Sequence, residues 1–286
     1  MVSRMPPAQR RDDPPQSEDP PTLHRFGRGD AEAPTLFLLH GLTDSGRCWP
    51  DAVERWSADY RIVTWDARGH GESERFTRGE LEAGIGETHL ADLVEALERL
   101  ADEGVAQPVL VGHSMGGGTA AALAGARPEL VRAVVLEDPA LGSGRYTDHD
   151  EAEAARRRVV EAREINAHPN HAMKHGKREH PTWPKREFKP WLEAKQQTDL
   201  EMLGRPGVTV RTPWPEVTAR IAVPALLVTG TAGAVWTGDL MTSLRRVDNP
   251  QVEIEVIRGA GHCVRRDRAD DFHAVVDPWL TKQVAR

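Results

Sequence analysis

Gly112-His113-Ser114-Met115-Gly116 is the stretch from which the rest of this sequence is read. The apolar run Pro108-Val-Leu-Val-Gly112 leads into it, and Gly116-Gly-Gly-Thr-Ala-Ala-Ala-Leu, small residues that suit a closely packed helix, leads out. Glycines two positions either side of a serine, between a buried strand and a helix, let the backbone make a sharp strand-to-helix turn. Such a turn holds the serine hydroxyl out at the top of a sheet, beside a helix N-terminus. Ser114 is therefore the candidate nucleophile.

Further out in both directions lie short apolar runs bounded by Gly, Asp or Pro: Thr35 to His40, Arg61 to Asp66, Ala133 to Leu136, Pro224 to Val228 and Val252 to Ile257. Most have the continuous character of strands buried on both faces. Between them are helix-period stretches, the clearest carrying Leu90, Leu93, Val94, Leu97 and Leu100 on one stripe. Strand alternating with helix implies parallel pairing through right-handed crossovers. The expected fold is α/β, a doubly wound, mostly parallel sheet whose ligand crevice lies at the carboxyl ends of its strands.

The alternation stops between residues 143 and 215, where Ala, Glu and Arg dominate and then Pro, His, Lys and Trp follow. This segment is expected to form a helical lid inserted into a core of residues 23–142 and 216–286, because long insertions in compact domains are usually functional. Residues 1–22 are rich in Pro, Arg, Asp and Gln, with almost no large apolar side chains, and are expected to form a disordered tail.

The 286 residues fit one large domain with an insertion. A net charge of −7 gives no electrostatic footprint for nucleic acid. No run approaches the roughly 18 apolar residues of a membrane span. Two cysteines, Cys48 and Cys263, make no disulfide framework, and the start of the chain lacks the apolar core of a secretory signal, so a cytoplasmic location is expected. The expected partner is a small molecule, with no nucleic acid and no membrane; a homodimer stays open.

With His40-Gly41 after the first core strand, Asp66-Ala-Arg-Gly-His-Gly71 after the second and Gly259-Ala-Gly-His262 after the last, the chain resembles the α/β-hydrolase superfamily in its lidded esterase and lactonase branch. The resemblance runs from about Leu23 to Leu280. His262 is the candidate general base, because it sits in a glycine-rich loop beyond the final strand, at the same strand ends as Ser114, and the order Ser then His fits the family. The resemblance places the oxyanion-stabilising donors on the backbone N–H groups of Leu42 and Met115. By the same resemblance His40 has a packing and hydrogen-bonding role. Asp66, Arg68 and His70 read as a buried loop clasp.

The pattern departs at the triad's acid. Relatives carry it as G-x-x-D after the penultimate strand, whereas this chain reads Gly230-Thr-Ala-Gly233. A histidine base without an orienting carboxylate risks the wrong tautomer. Asp138, at the end of Ala133 to Pro139, is the candidate acid. It lies 24 residues after Ser114, and its position resembles that of zearalenone-type lactonases and certain haloalkane dehalogenases. Glu137 is the first alternative, one position off and expected to face the other side of the strand, and Asp239 or no carboxylate at all is the second.

Trp183, Trp191 and Trp214 in the lid, with Leu141 and Trp236 at the sheet end, are candidate walls of a substrate pocket, with ordinary lid packing the alternative for each tryptophan. Trp49 reads as helix core, with closure of the pocket floor as the alternative. His168, His171, His175 and His180 do not read as a metal site, since Pro169 and Pro181 interrupt the helix and Lys174, Lys177 and Arg178 repel a cation. No cofactor signature is present. Serine rather than aspartate at position 114 argues against dehalogenase and epoxide hydrolase chemistry in this superfamily. The function expected is a serine hydrolase acting on a carboxylic ester or lactone, with a tilt, by analogy, toward a bulky or aromatic macrolactone such as zearalenone. The alternatives are a carbon–carbon bond hydrolase and a non-enzymatic ligand receptor on the same frame.

Overall fold

The computed structural model describes residues 23–140, 148–236, 239–244 and 246–285. The expected N-terminal tail, Leu141 and the expected start of the lid at residue 143 lie outside these residues. The described residues contain seven strands: β1 (Arg25–Arg28), β2 (Thr35–Leu39), β3 (Arg61–Trp65), β4 (Val109–His113), β5 (Ala133–Glu137), β6 (Ala225–Gly230) and β7 (Val252–Ile257). They form one sheet in the order β1-β3-β2-β4-β5-β6-β7. Every pairing is parallel except that of β1 with β3.

Helices occupy the connections, as parallel pairing requires. After β2 comes α1 (Pro50–Trp56); after β3, α2 (Arg78–Ala83) and α3 (Ile85–Asp102); after β4, α4 (Met115–Ala126). The long connection from β5 to β6 holds α5 (Asp148–Ala167), α6 (Pro169–Glu179), α7 (Phe188–Gln197), α8 (Leu200–Leu203) and α9 (Trp214–Arg220). Beyond β6 is α10 (Asp239–Leu244), and beyond β7 are α11 (Val264–Asp267) and α12 (Ala269–Val284). Among the described residues no helix is long and apolar enough to cross a membrane.

Period-two alternation divides the strand residues between two cores. Phe37, Leu39, Leu110, Val134, Leu136 and Leu227 join a core with α3, α4 and α9. Leu36, Leu38, Val111, Val135, Leu226 and Val228 join the opposite one with α1 and α12. The predicted stripe on α3 is seated in the first core through buried Leu93, Leu97 and Leu100, with Leu90 and Val94 against its margin.

The two ends of the sheet depart from the buried-run pattern. β1, Arg-Phe-Gly-Arg, is short, mostly exposed and antiparallel, and its polar composition hides it from an apolar-run reading. β7 alternates, with Glu253 and Glu255 exposed, as expected of a strand at an edge.

Two glycines bring the sheet and α4 together. A Cβ on Gly116 would lie 2.3 Å from the Leu39 carbonyl oxygen and 2.7 Å from that of His40, and one on Gly112 would lie 2.5 Å from the Gly116 oxygen. All three obstacles are backbone, so they yield only if a strand or the helix moves. Gly116→Ala is therefore expected to cost about 3 kcal/mol or more of stability, or to prevent folding. Gly233→Ala, with open space around its Cβ but a φ of 79°, is expected to cost about 1–2 kcal/mol. Denaturant unfolding of the two variants checks the contrast.

Candidate active site

Ser114 stands between β4 and α4 with φ 51° and ψ −113°, a left-handed backbone that a non-glycine residue adopts only when its surroundings impose it. Those surroundings are hydrogen bonds. Its N–H donates to the Glu137 oxygen (3.0 Å), its carbonyl accepts from Gly118 and Ala140 (both 2.9 Å), and Gly116 N–H donates to the His40 oxygen (3.1 Å). The ends of β2, β4 and β5 are thus tied to one turn, which leaves the serine only 7% exposed.

His262 arrives on the loop between β7 and α11. Its Nε2 lies 2.9 Å from Ser114 Oγ, and its Nδ1 lies 2.6 Å from Asp138 Oδ2. With Nδ1–H donating to the carboxylate, Nε2 is free to accept the serine proton. His113 Nε2 donates to the His262 carbonyl oxygen at 3.1 Å and helps fix the loop. Burial works to lower the His262 pKa, but the hydrogen bond and charge of Asp138, with Glu137 and Asp44 further off, outweigh it and hold the imidazole above its ordinary value.

Asp138 is fully buried, with φ 37°. Besides His262, its carboxylate accepts from Thr229 Oγ1 (2.6 Å) and from the Val235 N–H (2.8 Å). The loop after β6, where Gly233 replaces the usual acid, therefore meets this carboxylate with a main-chain donor. Glu137, equally buried, turns to the other side of β5, as strand alternation requires. It accepts from the Arg265 N–H (2.8 Å) and from its guanidinium (2.6 Å) and does not reach His262. Burial raises the Glu137 pKa in spite of that partner. The Asp239 side chain lies outside the described residues.

The turn after β2 runs beside the serine: a Cβ on Gly41 would lie 3.2 Å from Ser114 Cβ. Neither Leu42 nor Met115 directs its main-chain N–H at a backbone acceptor among the described residues. His40 is buried, donating from Nδ1 to the Gly41 oxygen (2.8 Å) and accepting at Nε2 from the Ala67 N–H (2.9 Å). The Asp66 carboxylate receives the N–H groups of Gly46 and Glu72, and Arg68 forms a two-bonded pair with Asp92.

The tryptophans separate. Trp183, with Thr182, His180, Gly233 and Arg268, borders a cleft of about 440 Å³ that also exposes His262. Trp191 packs edge-on against Trp183 and borders a different groove with α5 and α6, where His168, His171 and His175 also lie. Trp214, half-buried at the margin of the first core, meets buried Trp236 edge-on at 5.3 Å, and the Trp236 Nε1 donates to the Pro139 oxygen. Trp49 is fully buried beneath the Arg265 guanidinium, 3.8 Å from its ring centre.

A buried charge network beside the site was not evident from the sequence. Arg266 pairs with Glu187 (2.8 Å) and Asp44 (3.0 Å), and Arg265 with Glu137. Burial alone would raise the Asp44 pKa, but Arg266, Arg265 and Lys195 together hold it below its ordinary value. Glu187 precedes α7 and Asp44 follows Leu42, so the network joins the long helical connection to the loop beside the serine. The sequence signal available was Arg265-Arg266-Asp267 directly after an apolar Val264, an unusual density of charge beside a core residue.

Among known proteins, the model of the alpha/beta hydrolase family matches residues 36–275. The sn-1-specific diacylglycerol lipase ABHD11 of Mus musculus is 28% identical over 273 residues, 91% of this chain and 85% of that protein. A putative carbamate hydrolase, RutD, of Agrobacterium fabrum is 36% identical over 110 residues, 38% of this chain and 40% of that protein. In fold, the enol-lactonase from Burkholderia xenovorans LB400 superposes with a TM-score of 0.69 at 24% identity, over 91% of this chain and 97% of that one.

Glu137→Gln leaves Arg265, 3% exposed at its side chain, without its carboxylate. Breaking a buried pair from one side costs about 3–5 kcal/mol, so this variant is expected to lose stability on that scale in denaturant unfolding. A loss under about 1 kcal/mol would show that Arg265 is already compensated by Asp44 and the Cys48 carbonyl.

Proposed function

The chain belongs to the alpha/beta hydrolase family and is a hydrolase of it, and from that premise we propose that it cleaves a carboxylic ester or lactone through an acyl-enzyme on Ser114. The observation that carries the reading is the unbroken hydrogen-bonded chain from Ser114 Oγ through His262 to Asp138. Ser114 Oγ attacks the carbonyl carbon while His262 Nε2 takes the hydroxyl proton, and the imidazolium that results is stabilised by Asp138. The Leu42 and Met115 N–H groups receive the charge on the carbonyl oxygen. As the tetrahedral intermediate collapses, His262 returns the proton to the departing alkoxide. Water then enters, His262 deprotonates it, and the acid leaves with Ser114 restored.

In this reading residues 143–215 serve as the lid and Asp138 stands where relatives use the loop after β6. A bulky or aromatic ester or lactone is the preferred substrate class; the support is Trp183 beside His262 in a cleft whose volume suits a ligand of that size. One of the similar proteins is named a diacylglycerol lipase, which supports the ester reading.

The test compares a short aryl ester, a long acyl ester and an aromatic macrolactone. Ser114→Ala is expected to lose at least about a thousandfold in kcat/KM and Asp138→Asn at least about a hundredfold, both still folded. Activity confined to vinylogous diketones would replace this reading with carbon–carbon hydrolysis, and no turnover of any substrate with tight ligand binding would replace it with a receptor. The base acts only when neutral and its pKa is raised, so activity should climb with pH through a midpoint above 6.5. In Asp138→Asn that midpoint moves to lower pH. A wild-type midpoint at or below the ordinary histidine value would count against Asp138 as the partner.

A further inference from the structure

The turn that carries Leu42 closes with the Asp44 N–H donating to the Gly41 oxygen at 3.0 Å, which makes Thr43 its third residue. Thr43 has φ 66°. A turn with a positive φ at that place normally uses Gly or Asn, and a β-branched residue there is strained. Something outside the turn must hold it.

Two contacts reach it, both from the helical connection or from a charge tied to it. Lys195, on α7, donates from Nζ to Thr43 Oγ1 at 2.9 Å. Asp44 is held through Arg266, which Glu187 holds in turn. Lys195 is set up unusually for a lysine. Its ammonium sits 5.3 Å from the centre of the Trp191 ring and its charge helps hold the Asp44 pKa down, but its hydrogen bond goes to Thr43. A half-buried lysine spends considerable side-chain freedom to keep this geometry, and the group it hydrogen-bonds is the hydroxyl of the strained residue.

We propose that Lys195 is a positioning residue: by holding the Thr43 hydroxyl it keeps the adjacent Leu42 N–H aimed at the oxyanion. This rests on the acyl-enzyme reading above. The hydrogen bond also couples the helical connection to the chemistry, because α7 must be seated for the oxyanion donor to be in place. Lys195 itself does not touch the reacting atoms.

The test is a double-mutant cycle read in aryl-ester kinetics. Lys195→Met is expected to lower kcat at least about tenfold with KM within about twofold, because the aim of the Leu42 N–H matters to the charged oxygen of the transition state and not to the ground-state carbonyl. Lys195→Arg, which can still donate to the hydroxyl, should recover most of the rate. In a Thr43→Gly background, where no strain and no hydroxyl remain, Lys195→Met should change kcat by less than about twofold. A KM rise at constant kcat would overturn the proposal and make Lys195 a substrate-binding residue. A full tenfold loss persisting in Thr43→Gly, or an unchanged kcat in Lys195→Met, would also overturn it. A wild-type enzyme that cleaves no ester removes the acyl-enzyme reading and this proposal together, whereas an active wild type indifferent to Lys195 removes the proposal alone.

Discussion

The backbone of Ser114 is shared by three strands. Its N–H is taken by β5, its carbonyl by α4 and by the chain leaving β5, and the glycine two residues on is bonded to the end of β2. A left-handed serine costs on the order of 1–3 kcal/mol, and it persists because so many neighbours specify it at once. The same bonds pull β2, β4 and β5 into register at their carboxyl ends. The strain at Ser114 and the order of the central sheet are therefore one constraint, and the two bare glycines at 112 and 116 are the condition for it.

From that constraint the roles of two adjacent carboxylates follow. Glu137 is the last residue of β5 and obeys the strand's alternation, so it enters the core that holds α12 and is neutralised by Arg265. Asp138 has left the strand with φ 37° and turns the opposite way, toward His262. Chemically alike and one position apart, they differ in every partner. The network that receives Glu137 continues through Asp44, Arg266 and Glu187, so the charge that steadies the sheet also fastens the helical connection over it.

Much of this was legible in the sequence because it is local. The buried runs of β2 to β6, the stripe on α3, the serine turn and the His262 loop are each carried by a few consecutive residues, and the opposed faces of Glu137 and Asp138 follow from a period of two. Features set by distant partners were not legible. β1 is polar and becomes a strand only by pairing with β3. Trp214 and Trp236 read as pocket walls, yet Trp236 is buried in the core and Trp214 packs edge-on against it from the margin, because large aromatics serve either purpose and only tertiary packing decides. Asp44, Glu187, Arg266 and Lys195 lie far apart along the chain, and no spacing rule joins them.

Because the carboxylate bonded to His262 comes from the end of β5, the loop after β6 has a smaller part to play. Its duty to Asp138 is discharged by the Val235 N–H, a group every residue except proline possesses. Of residues 231–234, Thr231 still holds the His262 loop, its Oγ1 accepting from the Gly259 N–H at 2.9 Å, while Ala232, Gly233 and Ala234 carry no polar side chain. Ala232 and Gly233 border the cleft at His262, so side chains introduced there would reshape that cleft without replacing the Val235 N–H that Asp138 accepts from. Serine and acid, meanwhile, sit at the ends of neighbouring strands, so their separation is governed by the spacing of the sheet and is indifferent to drift in that loop.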